Sequence, residues 1–419
     1  MKKLRIGVVG TGAMGLGHCD SCQKLDEVEL TAVCDFDEAV VEGVARHYKV
    51  KSFTDYKKLI DSGDIEAVIV ATPHYFHPLI GIYAMKKGLH LLSEKPIGVT
   101  VNDADEMIAV SKETGKVFGV MLQFRTFPRF KAAKKLIDEG KIGEIYRTLM
   151  LCGWFRTQAY YDSAGWRASW KEEGGGVLIN QAPHMLDMFC YLAGTPNKIR
   201  AEVRTRRHKI EVEDEVHALL EYANGGLGSL YISVNEAPVE NRIEIVGEKG
   251  KLIIDGSKVQ FASLKQPAQE FCNTSPETGA RGAPEVAWED VGIPEAESGH
   301  HEIIRNFAQA VLYGEELIAP GVEGINSLEL SNAILFSGME KKEVTLPLNR
   351  KEFIKFFDKL VADSKEKNSK GNKKSNSNKI DGGDIMKIGF LTTCLPECSF
   401  NDVIDFAKLD KKMLTINGG

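Results

Sequence analysis

No stretch of the 419-residue chain approaches the roughly 18 consecutive apolar residues that a membrane helix requires. The opening MKKLRIGVVG enters a strand pattern at once, where a secretory leader would carry an apolar core. A cytoplasmic protein with no membrane partner is therefore expected. Cysteine is sparse: of eight, Cys34, Cys152 and Cys190 sit in apolar runs, where a thiol behaves as a small core residue. No disulfide framework is expected in a reducing compartment. Cys19 and Cys22 form a C-x-x-C, but no second ligand pair stands at zinc spacing, so no metal site is expected. A basic stripe is also missing, and the net charge of -6 argues against nucleic acid as a partner. Small-molecule chemistry is what remains.

At this length two domains are expected, and 43% hydrophobic with 27% charged residues is an ordinary globular balance. From Leu4 to Phe124 apolar strands alternate with helical stretches: LRIGVVG, VELTAVCD, IEAVIVAT, HLLSEKP and KVFGVMLQF. That alternation predicts an α/β fold, a doubly wound parallel sheet over residues 1–124 with its site at the strand C-termini. From Lys198 the segments KIRAEVRTR, EVHALLEYA, GLGSLYISV, RIEIVGEKG and KLIIDG, broken by glycine turns, predict an α+β domain on a large, mostly antiparallel sheet over 125–362. Helices at Phe130 to Glu139 and Val177 to Leu192 are candidates to cover one face, leaving the other to pair subunits as a homodimer or homotetramer.

Residues 363–385 are Lys, Asn and Ser rich without an aromatic, the composition of a disordered linker. Residues 386–419, beginning MKIGFLTTCLPECSF, resemble the first strand of a sugar isomerase or epimerase barrel but stop far short of one. Gly382 to Met386 is compatible with codons for a purine-rich ribosome-binding site and a start codon, so the tail is read either as a joined neighbouring frame or as a natural flexible extension.

Gly10-Thr11-Gly12-Ala13-Met14-Gly15 follows a strand and opens a helix, which is the setting a dinucleotide fingerprint needs. Gly10 serves the tight turn, Gly12 the approach of the pyrophosphate, and Gly15 the close helix packing, with the diphosphate at the helix N-terminus. The second strand ends in Asp35, whose carboxylate would accept the adenosine ribose hydroxyls and repel a 2'-phosphate. NAD is expected as cofactor in preference to NADP.

Two further loops lie at strand ends, one with Thr72, Pro73 and His77, the other with Glu94, Lys95 and Pro96. Together, G-x-G-x-x-G, T-P-x-x-x-H and E-K-P resemble the Gfo/Idh/MocA oxidoreductases (glucose-fructose oxidoreductase, inositol dehydrogenase). The resemblance runs from Lys3 to about Leu348, including Gly321, Gly324 and Leu330. It implies that Lys95 stands at the reacting hydroxyl, orienting substrate and stabilising an alkoxide-like oxygen. GGGVLINQAPH, ending in His184, is similar to the family's catalytic helix and implies His184 as general acid or base. Asn180, four residues earlier, is expected on the same helix face. Many relatives carry aspartate there. A neutral amide orients but cannot stabilise an imidazolium by charge, and Asp187 is a candidate to compensate or only to anchor the helix.

Arg156, Tyr160, Tyr161, Trp166, Arg167 and Trp170 crowd the segment before the glycine run. Aromatic faces with fixed donors suit sugars, and Arg156, Tyr161, Trp166, Arg167, Asn180 and Gln181 are the candidate substrate contacts. The cofactor set is Gly10 to Gly15, Asp35, Thr72, Pro73, His77, Glu94 and Lys95. His300 and His301 read as helix-start or interface residues. The expected reaction is hydride transfer between NAD and a carbinol carbon of a sugar, glycoside or cyclitol. Two rivals are a redox-neutral NAD-dependent glycoside-cleaving enzyme and a non-catalytic NAD-binding sensor.

Overall fold

The computed structural model describes residues 2–280 and 282–364. The expected linker and the isomerase-like tail lie outside them, except that Asp363 closes the helix Arg350–Asp363 and Ser364 follows it.

Six strands build the first sheet: β1 (Leu4–Val9), β2 (Val28–Cys34), β3 (Lys51–Phe53), β4 (Ala67–Val70), β5 (His90–Ser93) and β6 (Phe118–Val120). Their order is β3-β2-β1-β4-β5-β6, and every neighbouring pair is parallel. Central strands of such a sheet are covered on both faces, which is why AVIV of β4 is buried throughout. The order reverses between β1 and β4. The loops leaving these two strands, at Gly10 and Ala71, therefore flank the crevice where this fold binds ligands.

Nine strands build the second sheet: β7 (Ile145–Gly153), β8 (Lys198–Arg204), β9 (Glu215–Glu221), β10 (Leu227–Ser233), β11 (Asn241–Gly247), β12 (Gly250–Asp255), β13 (Lys258–Leu264), β14 (Val286–Asp290) and β15 (Val344–Thr345). Only β7 and β10 pair in parallel; the other seams are antiparallel. Sequence reading passed over β7, which lies near the middle of the sheet. Its second half, LMLCG, is a short apolar run without clean alternation, and periodicity alone does not tell such a run from a buried helix turn. One face is covered by the helices Pro183–Ala193 and Gly321–Glu340.

The chain does not leave the first core for good at Phe124. Ile303, Ile304, Phe307 and Ala308 of the helix His300–Tyr313 belong to the core of the parallel sheet. At Gly321 the next helix lies so close to β6 that an added Cβ would come within 2.1 Å of the Phe118 ring. Asn332 then joins the halves, accepting the Val101 N–H at 2.9 Å and donating to the Val99 carbonyl at 3.1 Å. Among the described residues no helix is long and apolar enough to cross a membrane.

A buried ion pair ties the segment after β6 to the second domain. Arg125 donates to both Asp187 oxygens, at 2.9 and 2.7 Å, and also reaches Glu323 and the Ile318 carbonyl. Asp187 thus anchors its helix and does not serve His184. Arg125→Leu leaves that carboxylate buried and unpaired, and urea unfolding should register a loss of about 3–5 kcal/mol. A loss below about 1 kcal/mol, the scale of an exposed pair, would contradict the anchoring role.

Candidate active site at the meeting of the two sheets

Gly10 has φ +92°, and a Cβ there would lie 2.4 Å from the Ala71 carbonyl oxygen, so the turn after β1 is pressed against the loop after β4. Gly15 is equally constrained, since its Cβ would lie 1.8 Å from the Gly10 carbonyl oxygen. Gly12 differs: nothing lies within 4 Å of its Cβ position. It is also the N-cap of the helix Ala13–Lys24 and offers no side-chain cap, so the positive helix end faces open space. Asp35, at the end of β2, accepts from the Thr11 N–H at 2.7 Å and the Thr11 hydroxyl at 2.9 Å, both on one oxygen. Its other oxygen faces the Asp37 N–H at 3.3 Å, with lone pairs to spare for hydroxyl donors.

Thr72, Pro73 and His77 lie in the loop after β4 and the start of its helix. His77 is 1% exposed, and its two ring nitrogens face the Pro96 and Thr72 carbonyls, each at 2.7 Å. It clamps the β4 loop to the β5 loop; direct cofactor contact is not its geometry. Glu94, 6% exposed, takes His18 Nε2 at 2.9 Å and the Lys95 N–H at 3.1 Å. Burial would raise its carboxyl, but the His18 hydrogen bond and nearby cations hold it well below the usual range. Lys95 points the other way, its Nζ donating to the Asn180 carbonyl at 3.1 Å. Burial pushes this ammonium down, and Glu94 and Glu173 push it back up.

Asn180 and His184 do not share a helix. The helix begins at Pro183, and residues 177–182 form turns. Two things stop it running back. Proline has no N–H to give, and the Gly176 and Leu178 N–H groups are taken at 3.0 Å by the buried Glu213 carboxylate. Gly176 sits so close to this partner that a Cβ would lie 1.9 Å from the Glu213 carbonyl oxygen. Asn180 accordingly presents its carbonyl to Lys95 and donates its side-chain amide to Glu173. His184, in the first turn of the helix, stacks on Phe124 at 4.7 Å and lies 3.2 Å from the Gln123 amide nitrogen. Burial, and then Lys95, push the imidazole well below its ordinary value, so it is neutral at pH 7.

Of the aromatic segment, Tyr161 is a core residue, 1% exposed and edge-on to His208 at 4.8 Å. Sequence reading took it for a substrate contact because alternation within a five-residue helix was invisible. Its neighbour Tyr160 is only half-buried, its hydroxyl accepting from Arg167 at 2.7 Å and from Gln181 at 3.3 Å. Arg167 lies over the Trp166 and Tyr160 rings, at 4.5 and 4.4 Å, and Arg156 over Tyr160 at 5.2 Å. Trp166 meets His74 edge-on, whereas Trp170 is buried. Gln123, His74 and Glu173 were missed from sequence; Glu173, beside the glycine run, carried the only signal that could have been read. Cys19 and Cys22 are buried and their thiols are pushed up, Cys22 to about 12, which leaves the C-x-x-C unreactive. Glu297, His301 and Glu302 could face a cation, but Arg305 already pairs with both carboxylates.

A doubly wound sheet with a glycine turn at its switch point, facing a lysine and a histidine brought from two domains, defines a dinucleotide-dependent oxidoreductase. Residues 4–122 match the family described as "Oxidoreductase family, NAD-binding Rossmann fold", and residues 130–253 match "GFO/IDH/MocA C-terminal domain". The chain belongs to the Gfo/Idh/MocA family. Levoglucosan dehydrogenase of Pseudarthrobacter phenanthrenivorans is 26% identical over 394 residues, 83% of this chain and 99% of that protein. An Escherichia coli protein named 2,7-anhydro-N-acetylneuraminate hydratase is 31% identical over 267 residues, 60% of this chain and 68% of that one. The crystal structure of the WlbA dehydrogenase of Bordetella pertussis with NADH and UDP-GlcNAcA superposes with TM-score 0.71 at 28% identity, covering 83% of this chain and all of that one.

The two fingerprint glycines are separable by experiment. Gly15→Ala should lower the melting temperature by several degrees, because the side chain collides with backbone. Gly12→Ala has room in the free protein and should melt within about 2 °C of the parent, yet lose NADH fluorescence enhancement. Full NADH binding by Gly12→Ala would show that the diphosphate lies elsewhere.

Proposed function

We propose that this enzyme oxidises a ring hydroxyl of a sugar, glycoside or cyclitol with NAD, reversibly, with Lys95 and His184 at the reacting carbinol. The observation that carries this reading is the placement of the Lys95 ammonium on the Asn180 carbonyl, four residues from His184, at the C-terminal edge of the parallel sheet. The space at Gly12, the uncapped helix end and the Asp35 carboxylate fit a dinucleotide with unphosphorylated ribose. When bound, NAD supplies the hydride acceptor.

The chain's own groups supply the rest. Substrate enters between the two sheets, its ring against Tyr160 and Trp166 and its hydroxyls toward Arg167 and Gln181. The reacting hydroxyl joins the Asn180 carbonyl as a second partner of Lys95 Nζ, whose three N–H groups can serve both. His184, neutral at pH 7, accepts the hydroxyl proton, while the ammonium stabilises charge growing on oxygen. Gln123 and the Phe124 ring hold the imidazole plane during the transfer. In the reverse direction the same imidazolium returns the proton.

A second reading is favoured by one observation. A relative 31% identical is named a hydratase, and hydration involves no net oxidation. Transient oxidation that assists glycoside cleavage, returning the hydride to product, is therefore kept beside the dehydrogenase.

Screening with NAD against sugars, cyclitols and glycosides, with product analysis, separates them. NADH accumulation that falls roughly 10²–10⁴-fold in Lys95→Ala and His184→Ala is the expected result. Altered glycoside without NADH favours the second reading, and cofactor binding without any product overturns both. Asp35→Ala should narrow the NAD over NADP preference; an unchanged preference places the ribose elsewhere. For the active pair, the acid limb of kcat/KM in the oxidative direction should lie below about pH 6.5, because burial has lowered the base.

A further inference from the structure

Residue 180 is a neutral amide beside a buried cation, and its partner is a carboxylate. Glu173 is 1% exposed. One of its oxygens accepts the Asn180 side-chain amide, and the other accepts the Ala168 N–H. Its backbone is fixed as well: the Glu173 N–H donates to the Ser169 carbonyl at 3.1 Å, and His74 Nδ1 lies 3.0 Å from the Glu173 carbonyl oxygen. The next residue, Gly174, has φ +87° and would drive a Cβ to 2.4 Å from Val99. The carboxylate therefore cannot drift without moving the β4 loop or the glycine run.

This rests on the reading of Lys95 and His184 as the reacting pair. We propose that Glu173 is a positioning residue for that reaction: through the Asn180 side chain it fixes the turn whose carbonyl holds Lys95, and it supplies the negative charge that residue 180 lacks.

The amide makes the arrangement possible. Asn180 donates to Glu173 with one side-chain atom and accepts from Lys95 with its main chain, so cation and carboxylate are linked through a single residue. Aspartate at 180 would put two carboxylates at hydrogen-bond distance, and such a pair must share a proton. The charged and titratable groups that face Lys95 are Glu94 at its own strand end, Glu173 and Arg167 from the segment before the glycine run, His74 and His77 from the β4 loop and the start of its helix, His184 from its helix and His300 from the interface helix. Of these only the two glutamates favour the ammonium.

Loss of the Glu173 charge lets burial lower Lys95 further, so the alkaline limb of the rate moves to lower pH, while the acid limb set by His184 stays.

The full-length enzyme, saturated with NAD and its turned-over substrate, is assayed as kcat against pH for Glu173→Gln, Asn180→Asp and the double variant, with melting temperature and NADH affinity alongside. Glu173→Gln should move the alkaline limb by about one unit, the scale of one opposite charge removed nearby. Asn180→Asp alone should be impaired. The double variant exchanges the amide and the carboxylate between the two positions, so that a donor again meets an acceptor, and it should recover roughly tenfold over Asn180→Asp, since the pair is coupled. An unmoved limb in Glu173→Gln, or a double variant no better than the product of the singles, overturns the proposal. If Glu173→Gln melts too low to assay, Asn180→Asp decides: a pH profile identical to the parent overturns it. Lys95→Ala retaining turnover would instead sink the reading of the site, a distinct outcome.

Discussion

Removing an ammonium from water costs on the order of several kcal/mol unless negative groups meet it, and that requirement organises this molecule around Lys95. The lysine leaves the end of a parallel strand and enters the seam between two domains. Behind it, Glu94 is locked to His18 of the nucleotide helix and to the Lys95 N–H. In front of it stand the Asn180 carbonyl and, one hydrogen bond further, Glu173. Each partner comes from a different part of the chain. The cation can be held only when both domains are folded and docked.

The docking is built to leave little slack. Gly176 approaches Glu213 too closely for any side chain, and the Glu213 carboxylate takes two N–H groups of the same run. Burial lifts that carboxyl to about 7, with those N–H groups acting against it. Asn332 bonds both ways to the bend that leads from the E-K-P loop into the helix Val101–Thr114, and Arg125 grips Asp187 within the helix that begins one residue before His184. The imidazole is therefore set by a helix anchored at its middle and stopped at its start by proline. Precision of this kind is what proton and hydride transfer demand of a site on two bodies.

How much of this could be read in the sequence follows the range of each interaction. The glycine turn, Asp35 and the E-K-P loop are local strand-turn-helix patterns, and the parallel sheet came with them. The antiparallel sheet was legible as a class, because the glycine turns at Asn224 to Gly226 and Gly247 to Gly250 punctuate its strand segments, whereas β7 was not, its apolar run lacking a period. Lys95 and His184 were legible only through resemblance. Gln123 and His74 were invisible, since their partners lie 61 and 99 residues away and no periodicity connects them, while Glu173 was marked only by its place beside the glycine run. Tyr161 was misjudged and Asp187 was left open between two roles for a related reason: spacing gives adjacency on a helix, but only tertiary packing says which neighbour is buried and which cation a carboxylate meets.

The amide at position 180 shows why a site has to be judged as a set of charges and not residue by residue. Compared with an aspartate at that position, asparagine looks like a lost charge and a weakened base. Within the packed site the negative charge is present, on Glu173, held out of solvent and pinned through its backbone. A buried carboxylate polarises its surroundings through a lower dielectric than one at the mouth of a crevice, so moving the charge inward need not weaken it. It does restrict what position 180 can be. With Glu173 in place, residue 180 must donate a hydrogen bond, and asparagine does so while leaving its carbonyl to Lys95. The two positions are one constraint, written on the two sides of a glycine run.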